Sequence, residues 1–151
     1  MVNFMNDEQL IAAARTAALK AYAPYSRFSV GCAIESVDGD LVTGANMENA
    51  CYRLGICAEQ SALTAAQHAF GLAKVTRIAV VGGVASGAEL TGSIICTPCG
   101  GCRQALFEAA CLSGRDIEIL CASGDLGAVE RHSLRALLPN GFGPDSLPDL
   151  G

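Results

Sequence analysis

Three cysteines at two points of the chain constrain its fold more than any other feature: Cys57 in Cys57-Ala58-Glu59, and the pair in Pro98-Cys99-Gly100-Gly101-Cys102. Both groups stand where an extended stretch gives way to a helical pattern, so both are expected at strand-to-helix junctions. A helix start presents unpaired N–H groups and partial positive charge, which favour thiolate over thiol. Two cysteines in one turn can chelate an ion. A third arriving from another helix completes three sulfurs, a set suited to tetrahedral zinc with one position left for water. The chain must therefore bring two helix starts, far apart in sequence, face to face.

Glu59 makes this more than a metal site. Two residues beyond a ligand, it can lie beside the metal without binding it, placed to take a proton from water and to deliver one to a leaving amine. Other readings compete. Cys96 could join the three as a closed structural zinc site. The run Cys96, Cys99, Cys102 has iron–sulfur spacing, but Cys111 lies too far on and the proline precedes the run. A redox pair at Cys99 and Cys102 leaves Cys57 and Glu59 unexplained. Cys32, Cys51, Cys111 and Cys121 are expected as small core residues. His68 and His132 are expected at a helix surface and a strand end, not as ligands.

The rest of the chain reads as alternating helices and strands after an initial hairpin. Asn6 caps a first helix with Gln9 reaching back, and helical spacing continues to about Tyr22, before Pro24. Arg27–Ser36 and Leu41–Met47 flank Asp38-Gly39 as a hairpin. A helix follows over Ala58–Phe70, ended by Gly71. Arg77–Val81 is a buried strand, and Ser93–Ile95 is extended. The third helix begins at or just after Cys99 and runs to about Ala110. Ile117–Cys121 and Ala128–Arg131 are further strands, and Ser133 caps a short helix ending before Pro139. The expected fold is an α/β mixed sheet with helices on both sides, in one domain over residues 1–151.

Composition narrows the partners. The 151 residues carry a net charge of −5 and no run of Lys or Arg, which argues against a nucleic-acid partner. No apolar stretch is as long as a membrane span, and neither end reads as a signal peptide. Eight cysteines without a secretory signal point to a reducing compartment, so the cytoplasm is the expected location. At 51% hydrophobic residues, much of it alanine, the chain is expected to bury surface against copies of itself.

Five segments together resemble the small cytidine deaminases. They are Tyr25-Ser26-Arg27-Phe28-Ser29-Val30-Gly31, Asn46-Met47-Glu48-Asn49-Ala50-Cys51-Tyr52, Cys57-Ala58-Glu59, Pro98-Cys99-Gly100-Gly101-Cys102-Arg103-Gln104, and Leu137-Leu138-Pro139-Asn140-Gly141-Phe142-Gly143-Pro144. They stand in family order over nearly the whole chain. The resemblance implies a three-layer α/β/α sandwich around a mixed five-stranded sheet, assembled as a homotetramer, with one zinc ion per subunit. It implies hydrolysis of cytidine and deoxycytidine to uridine and deoxyuridine, with Glu59 as the proton shuttle at the zinc held by Cys57, Cys99 and Cys102. It further implies that Asn46 and Glu48 bind the ribose hydroxyls, that Phe28 packs on the pyrimidine, and that the backbone at Ala58 accepts from the exocyclic amine. Ala50, Tyr52 and Phe142 are implied to reach the site of a neighbouring subunit. A carboxylate such as Glu48 accepts from a sugar hydroxyl but repels a phosphate, which favours a free nucleoside.

One departure stands beside the catalytic Glu. Members with three cysteine ligands usually carry Arg there, whereas this chain has Gln60. Three thiolates and one zinc ion leave a net negative charge that Gln60 does not offset, with Arg53 as a candidate to compensate. Two rivals remain: a deaminase of another amino-nucleoside, differing around Phe28 and Asn46–Glu48, and a catalytically silent zinc protein, against which Glu59 argues.

Overall fold

The computed structural model describes residues 1–149 and contains one mixed sheet with helices on both faces. Helix α1 spans Asp7–Ala18, and its start follows from a complete capping box: Asn6 Oδ1 accepts the Gln9 N–H, and Gln9 Oε1 accepts the Asn6 N–H. The helix ends a turn earlier than its sequence pattern suggests. Residues beyond it are drawn into an extended bridge, where Tyr22 N–H donates to Asn46 O and Glu48 N–H to Tyr22 O.

Strands β1 (Ser29–Ser36) and β2 (Leu41–Ala45) form the expected hairpin. Its turn places Gly39 at φ +83°, a conformation glycine adopts without steric penalty. Strand β3 (Val75–Ser86) pairs antiparallel with β1 and parallel with β5 (Glu118–Ser123), and β5 pairs antiparallel with β6 (Val129–Ser133). The order β2-β1-β3-β5-β6 is thus the expected five-stranded mixed sheet. A sixth, short strand departs from expectation: β3 continues past Val81 and folds back through Gly87 to pair with β4 (Glu89–Thr91). The extended segment 93–95 lies outside any strand.

Alternation along the strands separates two cores. Ala33, Ala79, Val81, Leu120 and Ala122 face α1, packing on Leu10, Ile11, Ala14 and Ala18. Cys32, Ile34, Ile78, Val80, Ile119 and Cys121 face the other way, onto α2 (Ala58–Ala69) and α3 (Gly100–Ser113). Helix α3 connects the parallel strands β3 and β5, and it runs one turn further than expected before Gly114 closes it in the left-handed region. Ser133 caps the short α4 (Leu134–Leu137) by accepting the Ala136 N–H.

The expectation for the remaining cysteines holds in part. Cys32 and Cys121 are fully buried, and Cys111 is half-buried, but Cys51 is exposed. Cys51 leads a turn of 3-10 helix over Tyr52–Leu54 in the connection from β2 to α2, which projects away from the sheet. His68 is exposed on α2, and His132 on β6 pairs with Glu130.

Candidate metal centre and active site

Both helix starts converge as the cysteine spacing requires. Cys57 is the N-cap of α2 and Cys99 the N-cap of α3, each in extended conformation, and the Cys57 sulfur makes no capping bond. They meet Cys102, one turn into α3, with the three Sγ atoms within 4.8 Å of one another. Tetrahedral zinc, with Zn–S bonds of about 2.3 Å, would hold its sulfurs about 3.8 Å apart, which is compatible with sulfurs clustered this closely. Among the described residues this is the one group of three or more His, Cys, Asp or Glu side chains so clustered, and Cys96 is outside it. A fourth position is accordingly left open.

The thiols differ in how readily they ionise. Burial pushes Cys57 and Cys102 up, while the N–H of Cys102, at the start of α3, holds Cys99 down. A cation bound to all three offsets the cost of ionising the buried pair, which couples metal binding to proton release. Gln60 donates from Nε2 to Cys102 Sγ at 3.8 Å. Arg53 is exposed and makes no hydrogen bond to the sulfurs among the described residues, so Gln60 is the side chain that serves them.

Glu59 is 4% exposed, on the first turn of α2, and its Oε2 accepts from Cys102 Sγ at 3.4 Å. Burial raises its carboxyl above the usual range. A cavity of about 190 Å³ opens over these groups, walled by Cys57, Ala58, Glu59, Cys96, Thr97, Cys99, Val30 and Asn46. It lies at the carboxyl ends of β3 and β5, the edge where open α/β sheets bind ligands. Gly82 ends the shared part of β3 there: a Cβ on it would come to 2.7 Å of Cys96 Sγ and 3.0 Å of the Phe28 ring.

Asn46 clasps the strand that brings Phe28 to this edge. Its Oδ1 accepts the Val30 N–H at 2.8 Å, and its Nδ2 donates to Phe28 O at 2.9 Å, leaving one N–H and one lone pair unspent. Glu48 pins the preceding turn, its Oε2 accepting the N–H groups of Tyr25 and Ser26 at 2.8 and 3.2 Å. A hydrogen bond from Ser26 and those backbone N–H groups hold its carboxyl below the usual range. Ser26 Oγ also accepts the Phe28 N–H at 3.0 Å, so the turn is held from both sides. Arg27, at φ +57°, is the strained residue of this turn.

The residues expected at the site therefore fall into two groups. Cys57, Cys99, Glu59, Ala58 and Asn46 line one cavity, with Cys102 buried behind its wall and Phe28, 42% exposed, at its edge. Glu48 and Tyr52 line a separate hollow of about 390 Å³ beside it. Ala50 is exposed, and Phe142, 60% exposed, lies on neither cavity. Sequence reasoning missed Val30, Cys96 and Thr97 as cavity walls. The proximity of Cys96 and Thr97 to the metal turn was the signal available.

Fold and site together are those of a zinc-dependent deaminase. Residues 5–113 match the family described as "Cytidine and deoxycytidylate deaminase zinc-binding region", and the chain belongs to that family. The cytidine deaminase of Mycobacterium tuberculosis (strain CDC 1551 / Oshkosh) is 41% identical over 135 residues, covering 89% of this chain and 88% of its own. That of Halalkalibacterium halodurans is 37% identical over 145 residues, 96% of this chain and 100% of its own. The crystal structure of cytidine deaminase from Burkholderia pseudomallei superposes with a TM-score of 0.77 at 41% identity, covering 91% of this chain and 100% of that one.

Proposed function

We propose that this chain hydrolyses cytidine and deoxycytidine to uridine and deoxyuridine, releasing ammonia, as a step of pyrimidine salvage. The observation that carries the reading is the buried Glu59 carboxyl, 3.4 Å from a metal-ligand sulfur, in the same small cavity as all but one of the ligands and Asn46. When bound, zinc supplies Lewis acidity at an open coordination position.

The chain's own groups do the rest. Glu59 takes a proton from the attacking water and passes it to pyrimidine N3, then takes the remaining proton from the new C4 hydroxyl and delivers it to the leaving amine as the C4–N bond breaks. Against the expectation that its backbone accepts from the exocyclic amine, Ala58 contacts the pyrimidine as a donor, through an N–H that as the first of α2 has no intrahelical acceptor. Its carbonyl packs on β2, 2.7 Å from where a Cβ on Gly44 would stand. Phe28 covers the ring. The unspent N–H of Asn46 and free Oε1 of Glu48 receive the sugar hydroxyls, and the Glu48 carboxylate disfavours a phosphate in their place.

The chain works as a homotetramer in which Ala50, Tyr52 and Phe142 complete a neighbour's site. The exposure of Tyr25 (49%) and Tyr52 (81%), which line the larger hollow, and of Phe142 (60%) on the C-terminal segment supports this. The net charge of −5 supports a small nucleoside over nucleic acid as substrate. Eight free thiols suit a reducing cytoplasm, and among the described residues no helix is long and apolar enough to cross a membrane.

The test is ultraviolet absorbance of purified protein with cytidine, deoxycytidine, cytosine, adenosine and a cytidine nucleotide. Turnover of the first two that vanishes in Glu59→Ala, with zinc retained, supports the proposal. Turnover of none, at full zinc content, refutes it.

A further inference from the structure

Arg103 follows the last metal ligand, Cys102, and turns its side chain back over the turn that presents Cys99. Its Nε donates to Pro98 O at 2.8 Å and its Nη1 to Leu137 O at 3.0 Å. Pro98 immediately precedes Cys99, and Leu137 is the last residue of α4. The Leu137 carbonyl is one that a helix C-terminus leaves without an intrahelical donor, and the Pro98 carbonyl precedes α3, outside any helix. One planar guanidinium thus joins two segments far apart in sequence, which a single ammonium cannot do with the same geometry.

Further contacts hold the C-terminal segment flush against α3. Gln104 Nε2 donates to Phe142 O at 2.6 Å. A Cβ on Gly141 would stand 3.1 Å from the Phe107 ring, and one on Gly143 2.9 Å from both that ring and Cys111 Sγ. The chain therefore lies against α3 at the same two residues that flank Phe142.

We propose that Arg103 is a positioning residue that makes the C-terminal segment, residues 134–143, a buttress of the metal-binding turn. Cys99 sits in an exposed N-cap. The backbone before it is held by Arg103, and Arg103 is held by α4. Metal retention and order in the C-terminal segment are then linked, each stabilising the other.

The proposal rests on the site holding zinc, so zinc content of the purified protein is measured first, and a protein that binds none fails that reading separately. Zinc release from the holoenzyme to a chromogenic chelator is then followed in Arg103→Ala, Arg103→Lys and Arg15→Ala. Arg15 is the matched control: it also donates to two backbone carbonyls, Gly124 O and Leu90 O, away from the metal. Loss of a group that orients a metal ligand costs about 10- to 100-fold in metal affinity. Release at least about tenfold faster in Arg103→Ala, intermediate in Arg103→Lys and near wild type in Arg15→Ala is expected. Hydrogen exchange supplies a second reading: chelation of the wild type should speed exchange across residues 134–142, and Arg103→Ala should show that fast exchange with zinc bound. Wild-type release from Arg103→Ala, equal acceleration in Arg15→Ala, or exchange in 134–142 that ignores zinc would each overturn the proposal. If Arg103→Ala does not fold, Arg103→Lys decides: release at the wild-type rate refutes the two-carbonyl bridge.

Discussion

Gly44→Ala should damage the active site although Gly44 touches no metal ligand. Gly44 lies on β2 opposite Cys32 and faces α2. An added Cβ would stand 2.4 Å from Ala62 N and 2.7 Å from Ala58 O, both backbone atoms that cannot rotate away. Restoring ordinary contact requires α2 to retreat from the sheet by about 1 Å. Overpacking of this kind costs about 1–3 kcal/mol, which for a chain of this size lowers the melting temperature by roughly 2–12 °C. The larger consequence is geometric. Helix α2 carries Cys57 at its cap and Glu59 on its first turn, whereas Cys99 and Cys102 ride on α3, so a retreat of α2 alone pulls one sulfur and the carboxyl from the other two sulfurs. A misplacement of about 1 Å can cost on the order of 100-fold in rate. The assay is thermal unfolding with kcat/KM for cytidine and zinc content on the same preparation. Gly101→Ala is the contrast, because its Cβ would meet nothing within 4 Å on the first turn of α3. A Gly44→Ala protein that melts within a degree of wild type and turns over cytidine within twofold would refute the reasoning.

Three further outcomes follow from the electrostatics. Arg77→Ala strips the partner from Glu35, which is 0% exposed and otherwise accepts only the Met5 N–H, so an uncompensated buried carboxylate should cost about 3–5 kcal/mol by urea unfolding; a loss under 1 kcal/mol would contradict this. Because Glu48 is held below the usual carboxylate range, its anchoring of the 25–26 turn is present above that range and fades as pH falls through its lowered folded value. Hydrogen exchange at Tyr25 and Ser26, corrected for intrinsic rates, should therefore rise on acidification, and Glu48→Gln should lose that pH response. Gln60→Arg places a cation beside Cys102 Sγ, offsets the excess negative charge of the thiolates, and should shift the pH–rate profile and slow zinc release; unchanged values would show that the charge of this neighbour does not matter.

The sequence displayed the residues that do chemistry more plainly than those that place them. Cysteine, glutamate and proline at fixed spacing mark a metal turn because few other arrangements use those side chains together. Strand-forming residues on either side of Asp38-Gly39 marked the hairpin, and a short apolar run marked the central strand because both of its faces must be buried. The short β4 was missed because its three residues carry little pattern, and the turn at Gly87 was its sole marker. Cys51 was misplaced in the core because a small apolar residue carries no sign of whether its loop lies on the sheet or off it. The ion network in which Arg77 joins Asp7, Glu35 and Glu118, with Arg131 bridging Asp7 and Glu118, was invisible for another reason. Its members come from four strands and the first turn of α1, and only the register of β3 against β1 and β5 and of β5 against β6 brings them together.

The same distinction bears on Asn46 and Glu48, for which two duties are proposed. Their side chains are bound to backbone groups on either side of Phe28, at Tyr25, Ser26, Phe28 and Val30. The atoms left over are those assigned to the sugar. A residue that both shapes a turn and binds a ligand cannot be replaced by one that does only the second: Asn46→Asp keeps an acceptor for the Val30 N–H but sets a carboxylate against Phe28 O, where a donor is needed. Loss of sugar binding and displacement of the ring-covering Phe28 then arrive together. Kinetics should separate the duties. A pure sugar-binding defect would raise KM alone, whereas Asn46→Asp should lower kcat as well, because the pyrimidine is no longer held over Glu59.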